Sequence, residues 1–317
     1  MKITLIHNPE AGDHREPSAE HILRLIRAAG HKFRYQSSKE KQWKKALQKP
    51  CDIVAVAGGD GIVGRVARRL IGSRTPIAVL PMGTANNVAH TLGLTGRTLK
   101  QLIGGWNAAR CVNFDAAVAK GPWGSKYFIE GFGVGLFAET MFQIKNGEHP
   151  GPPRSDDPEE EINAVLKIFK KQLSNYPSKD LTVRLDGQDL SGDYFLLEAL
   201  NVRYIGPNLD LVPDAKINDG LLDVVFVAKD EQGKLNRYIS DRLKHKRSRV
   251  SLTIHRGRHL QVEWGSSPVH IDDTPWPEDK DGGSPVRSNA IDIKTDPGAL
   301  VFLTPGVVGR KRVGRNL

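Results

Sequence analysis

Apolar and polar positions follow two periods in the first hundred residues. "KITLIH" (2–7), the stretch near "KFRYQ" (32–36), "DIVAVA" (52–57) and "PIAVLP" (76–81) are apolar runs of strand length. Between them, "SAEHILRLIRAAG" puts Ile22, Leu25, Ile26 and Ala29 on one helical face, with Gly30 as a stop. The segment after residue 60 repeats that spacing with Ile62, Val66, Ala67 and Leu70, and a further helix is predicted in "KEKQWKKALQK" (39–49). Strands alternating with helices of this length predict βαβ units and a parallel sheet covered on both faces.

From about residue 112 the texture changes to short strand-like pieces separated by glycine turns, among them "VNFDAAVAK", "SKYFIEGFGVG", "LTVRLDGQDL", "DYFLLEALNV", "LLDVVFVA", "PVHID" and "ALVFLTP". Only "EEEINAVLKIFKKQLSNY" (159–176) reads clearly as a helix, with part of the basic segment beyond residue 233 as a second. Many short strands with turns between them predict an antiparallel sandwich or barrel. The expected organisation is an α/β domain over 1–112 and a β domain over 113–305. A mobile loop is expected near 146–160, and the tail 306–317 is placed to pack back on the first domain.

Composition narrows the class. A chain of 317 residues with 39% apolar and 26% charged positions suits two globular domains and excludes disorder. Two cysteines, Cys51 and Cys111, cannot build a disulfide framework or a zinc site. "ITLI" is followed at once by His7, Asn8 and Pro9, so no signal peptide is read, and no run approaches a membrane span. The expected location is cytoplasmic. The formal charge of +10 is concentrated in "GKLNRYISDRLKHKRSRVSLTIHRGRH" (233–259), whose only acid is Asp241, and in the tail "GRKRVGRNL" (309–317). Such a run is either a solvated face or, over 234–258, an attraction for an anionic membrane surface. It lacks the interleaved aromatics and modules of nucleic-acid binding, so no nucleic-acid partner is expected. A homodimer is compatible with the sequence.

The stretch "VAVAGGDGIVGRV" (54–66) joins a strand to a helix through Gly58, Gly59, Asp60 and Gly61. With Gly64 it spells the dinucleotide fingerprint G-x-G-x-x-G. Two features oppose that reading. The region about 20 residues on, "AVLPMGTANN", has no acid for a ribose, and a carboxylate at a helix N-terminus repels phosphate. A divalent cation removes the conflict, since Mg²⁺ takes one or two carboxylates and completes its shell with phosphate oxygens and water. The loop therefore favours a metal-bearing nucleoside triphosphate, without a P-loop. The alternative is a tight turn whose glycines serve geometry and whose Asp60 caps a helix. Two more junctions share the theme: "PMGTANN" offers Gly83, Thr84, Asn86 and Asn87, and "IHNPEAG" offers Asn8, Pro9 and Gly12. In a parallel sheet these loops converge at the carboxyl ends of the strands, where ligands bind.

"NPEAG", "GGDG", "PMGTANNVA" and "VPDAKINDGLLDVVFV", in that order, resemble the motifs of the diacylglycerol kinase catalytic-domain family of lipid kinases, to which sphingosine kinases are related. The resemblance runs from residue 1 to about 305. It implies an N-terminal α/β nucleotide domain, a C-terminal β-sandwich, and ATP with Mg²⁺ in the cleft. It implies that Gly58, Gly59, Asp60 and Gly61 line the triphosphate, with Asn8, Thr84 and Ser37 or Ser38 beside it. It also implies a second metal held by the Asp219 side chain and the carbonyls of Lys216 and Leu221. Without the family, Asp219 and Asp223 read as turn and surface residues.

Two departures stand out. The family's G-G-D-G-T ends here in Ile62, and its late D-G-E, whose glutamate is taken as general base, is here Asp272, Asp273 and Thr274 in "HIDDTPW". Thr274 cannot serve as a base at neutral pH. Asp272 or Asp273 is the candidate substitute; both also read as turn residues before Pro275. The expected activity is phosphorylation of a hydroxyl on a diacylglycerol-like or sphingoid lipid. A nucleotide- or lipid-binding protein that has lost catalysis is the alternative.

Overall fold

The computed structural model describes residues 1–11, 17–148, 150–153, 155, 157–263, 265, 267–276 and 290–304. The predicted Gly12, residues 277–289 and the tail 306–317 lie outside the described residues. β1 (Lys2–His7), β2 (Lys32–Ser37), β3 (Ile53–Gly58) and β4 (Ile77–Pro81) form a parallel sheet in the order β2-β1-β3-β4. All six residues of β3 are buried, because helices cover both faces of the sheet. α1 (Ala19–Ala28), α2 (Asp60–Ala67), α3 (Asn87–Thr91) and α4 (Leu99–Gly104) supply that cover. The helix expected over 39–49 is instead a short 3₁₀ segment, Trp43–Gln48. Only Trp43 and Ala46 are buried there, and their spacing of three suits the tighter helix.

The second half is a three-layer stack. One sheet layer contains β5 (Arg110–Gly121), β6 (Gly124–Phe128), β8 (Lys179–Leu185), β15 (His259–Glu263) and β18 (Ala290–Thr304). The two-residue β9 (Gln188–Asp189) pairs with β8. The facing layer contains β7 (Gly131–Gly135), β10 (Gly192–Leu200), β13 (Leu222–Ala228), β14 (Thr253–Gly257), β16 (Val269–Ile271) and β17 (Thr274–Trp276). β8 also pairs with the start of β10, so the two layers join at a corner. Phe128, Phe132, Leu197, Phe226, Leu260 and Ile293 fill the space between them. This is the expected β-sandwich.

α5 (Leu136–Lys145), α6 (Pro158–Asn175) and α7 (Gln232–Arg242) cover the outer face of the second layer, with the short pair β11 (Tyr204–Ile205) and β12 (Leu209–Asp210) beside them. α6 and α7 match the expected helices. α5 was not predicted, because a segment with Leu136, Phe137, Ala138 and Thr140 all buried shows no polar stripe.

β18 crosses the whole molecule. Its first half pairs with β15 and β5, a bulge follows at Asp296–Leu300, and Phe302 then lies beside Ile77 of β4. Leu300, Phe302 and Leu303 thereby join the N-terminal core, so the end of β18 closes the first sheet.

Candidate functional site

The β3–α2 and β4–α3 junctions stand side by side at the carboxyl ends of their strands. A methyl group on Gly83 would overlap Gly59 Cα, and one on Gly59 would lie 3.0 Å from Gly83 Cα, so glycine at both positions is what lets the loops touch. Asn86 holds a left-handed conformation (φ 53°) and braces Gly83, accepting from its N–H at 2.9 Å and donating to its carbonyl. A side chain at Gly58 would overlap Ile62 Cγ2 and approach Asn8 Cβ. Ile62 thus fills the space that Gly58 leaves and packs into the core, turned away from the site. The clearance of these glycines is used by the protein's own atoms.

Asp60 does cap a helix, but not its own. Its Oδ2 accepts from the Asn87 amide at 2.8 Å and its Oδ1 from the Val88 amide at 3.1 Å, so it ties the second junction to the first. Three more carboxylates gather near it. Asp272, in the β16–β17 turn at φ 51°, pairs with Arg68 and accepts from the amides of Ile129 (3.1 Å) and Glu130 (2.9 Å). Glu130 is buried, with Asn87 Nδ2 at 3.5 Å. Asp273 is exposed, lies 2.6 Å from where a Cβ on Gly61 would stand, and accepts from Thr274 Oγ1 at 3.2 Å. Gly61 and Gly64 are therefore the places where the hairpin turn sets its two aspartates on α2.

Burial and mutual repulsion shape the protonation of this cluster. Burial first, then the charges of Asp273 and Asp272, push Asp60 up to about 6 against its two amide bonds. Burial and the Asp60 charge hold Glu130 well above the usual carboxylate range. Burial raises Asp272 despite Arg68 and the backbone amides. Beneath the turn, His270 Nδ1 donates to the Asp272 carbonyl at 3.0 Å while Nε2 faces Glu198 at 2.9 Å. Burial works to lower His270, and the Glu198 carboxylate with the Asp272 carbonyl outweighs it, so the imidazole is raised. Gly133 leaves the room this pair needs.

Two chambers flank α2. One, of about 560 Å³, is a basic cleft lined by Lys39, Lys41, Lys44, Arg65, Arg68 and Arg69 against one acid, Glu40, with Ser38, Trp43 and Tyr127. Ser38 is buried, and its Oγ has no hydrogen-bond partner. The other, of about 380 Å³, is walled by Phe137, Met141, Ile162, Val165, Phe169 and Ile205 and closes on Asp60, Glu130, Asp272 and Asp273. Thr84 and Asn87 line this apolar chamber, and the buried Asn87 Oδ1 is unpartnered.

The predicted nucleotide residues therefore divide. Ser38 lines the basic cleft; Asp60, Thr84 and Asn87 line the apolar cavity; Gly58, Gly59, Gly83 and Asn86 serve the contact between loops. Asn8 closes a turn with Glu10 N at 3.3 Å, Pro9 is exposed, and Ser37 accepts from Lys39 N at 3.3 Å. At the expected second metal, Asp219 Oδ1 accepts from Leu221 N at 3.1 Å, closing the turn, and Lys216 is exposed. The loop is clamped by the buried Asp115, whose two oxygens accept from Gly220 and Gly298 amides at 2.6 and 2.7 Å. Asp223 pairs with Arg256 at 2.6 Å.

The donor set fits Mg²⁺ as one or two carboxylates with room for outside oxygens: hard anionic groups whose repulsion a cation would relieve, beside an unpartnered buried carbonyl oxygen at Asn87. Among the described residues no group of three or more His, Cys, Asp or Glu is arranged to hold a metal ion, so the cation's shell would have to be completed by oxygens from outside the protein. The cleft, with six cations around an unsatisfied hydroxyl, fits a polyphosphate. Sequence reasoning missed Glu130, Arg68, His270 and Glu198. His270 and Glu198 sit in strands, Arg68 just after α2 and Glu130 between β6 and β7, and only the fold brings them to Asp60 and Asp272.

Residues 2–116 match the diacylglycerol kinase catalytic domain, and residues 164–303 match the YegS C-terminal NAD kinase beta sandwich-like domain. A diacylglycerol kinase of Mycobacterium tuberculosis is 24% identical over 293 residues, covering 86% of this chain and 85% of its own. A YegS-like lipid kinase of Klebsiella pneumoniae is 27% identical over 232 residues, covering 68% and 71%. The crystal structure of a diacylglycerol kinase from Bacillus anthracis has the same fold, with a TM-score of 0.67 at 19% identity over 95% of this chain and 96% of that one.

Proposed function

Since the chain belongs to the diacylglycerol kinase family of lipid kinases, we propose that it phosphorylates the hydroxyl of a diacylglycerol-like or sphingoid lipid at a membrane surface, using ATP and Mg²⁺. One observation carries the reading: an apolar cavity that ends on four carboxylates drawn from both halves of the molecule. Hydrocarbon chains would lie against Phe137, Val165 and Phe169, and a hydroxyl would reach the acidic end. Bound in the basic cleft and beside Asp60, Mg-ATP would supply the phosphoryl group and offset the charge that develops during transfer.

Asp60 orients the second junction and offers oxygens to the cation. Asp273 is the proposed general base. Glu130 and Asp272 are buried, Asp60 is half-buried, and all three are bound to protein donors, whereas Asp273 is exposed and accepts from the Thr274 hydroxyl. Asp272 is the positioning residue: with Arg68 and His270 it fixes the turn that presents Asp273.

The test is purified protein with labelled ATP, Mg²⁺ and a panel of lipid micelles. Transfer to a lipid hydroxyl is expected, with its loss in Asp60→Ala. Thr274 in place of the family's glutamate favours the non-catalytic alternative, and absent transfer despite measurable Mg-ATP binding would establish it. Thr274→Glu would then be assayed for gained transfer.

A further inference from the structure

A third chamber, about 960 Å³, runs along the segment after α7 and shares Thr84 and Ile162 with the apolar cavity. We propose that it binds the phosphate of a membrane lipid headgroup at the mouth of that cavity. The proposal rests on reading the cavity as the lipid site. At this shared edge the Thr84 hydroxyl donates to Glu161 Oε2 at 2.6 Å.

The groove's charges sort into committed and free. Asp210 is held by Arg203 through two bonds of 2.8 and 2.6 Å, His245 faces Glu159 at 2.8 Å, Asp157 caps α6 by accepting from the Glu159 amide at 2.9 Å, and Arg242 donates to the Asn208 carbonyl at 2.8 Å. Lys246, Arg247 and Arg249 also line the groove, are exposed, and have no ion-pair partner among the described residues. Between them, the buried Ser248 Oγ has no hydrogen-bond partner, and Asn208 Oδ1 across the groove is likewise unsatisfied. Val250 and Leu252, in the core beneath, pin the segment in place. Three free cations around an unsatisfied hydroxyl form an anion site of phosphate chemistry.

Its position selects a lipid over a nucleic acid. The groove opens beside an apolar cavity, and its aromatic rings offer no stacking platform. Tyr238 is buried with its hydroxyl accepting from the Asp210 amide, and Tyr204 lies between His90 and Arg203.

The experiment is cosedimentation with phosphatidylcholine vesicles with or without phosphatidic acid, in the absence of nucleotide. Wild type is expected to prefer the phosphatidic acid vesicles. The combined variant Lys246→Gln, Arg247→Gln, Arg249→Gln is expected to bind them roughly a hundredfold more weakly. A control removing the same charge elsewhere, Lys32→Gln, Lys100→Gln, Lys120→Gln, is expected to change binding by no more than about threefold. Thermal unfolding of each variant checks the fold. Equal loss in the two variants would reduce the effect to net charge and overturn the site. So would retained binding in the groove variant, saturation by inorganic phosphate without vesicle binding, or tighter binding of a single-stranded oligonucleotide through the same three residues. Because no phosphoryl transfer is measured, failure of the kinase reading and failure of this site are separate outcomes.

Discussion

The basic cleft and the apolar cavity lie on either side of one helix and are built on opposite principles. The cleft gathers six cations and leaves a serine hydroxyl unsatisfied; the cavity gathers aromatic and aliphatic walls and sets four carboxylates at one end. They communicate through the Arg68–Asp272 pair, since Arg68 lines the first and Asp272 the second. The difference teaches how a small fold can keep a basic and an apolar surface close together, with acidic groups where the two meet, as the proposed transfer from a polyanion to a lipid would require.

The largest test of that division is Asp273→Asn. Transfer is expected to fall by about 10² to 10⁴-fold while Mg-ATP and lipid affinities stay near wild type, measured by steady-state kinetics and separate binding titrations. A fall in binding with turnover intact would move the base elsewhere. Next comes Arg68→Met, which removes the link between chambers. Asp272 keeps its amide bonds but loses its countercharge, so unfolding free energy is expected to drop by about 2–3 kcal/mol by denaturant titration. Nucleotide affinity should fall with it, and an unchanged affinity would detach the cleft from the site.

The smallest effect is confined to the acidic end. Asp60, raised to about 6 in the fold, stabilises the folded state fully only below its unfolded value, and that contribution is lost as pH rises through about 6. Without metal, wild type should therefore gain on Asp60→Asn by on the order of 2 kcal/mol as pH falls from about 7 to about 4. A gap that does not change with pH would mean the cluster is not charge-frustrated.

The sheet of the first half was legible because β1, β3 and β4 are continuous apolar runs punctuated by glycine loops. The convergence of those loops was legible from strand polarity alone. What they converge on was not. Gly59 and Gly83 read as clearance for a ligand, and they are clearance for each other. The pattern of small residues is the same in both cases, so only the contact distinguishes them. Glu130 follows a strand in "YFIEGFG" with no motif around it. Its meaning depends on β7 and β16 pairing, which brings Ile271 beside Phe132 and the next turn beside α2. Asp272 and Asp273 were singled out as a pair, but opposite exposure, set by one left-handed residue in the turn, separates them.

β18 gives the molecule an order of assembly. Until Phe302 has been synthesised, β4 lacks the neighbour that covers its outer edge, and an apolar strand edge left open is a template for pairing with other chains. The first half can collapse early but is sealed by β18, whose residues are made more than two hundred positions later. Nascent chains therefore carry their aggregation hazard longest at the sheet that was made first.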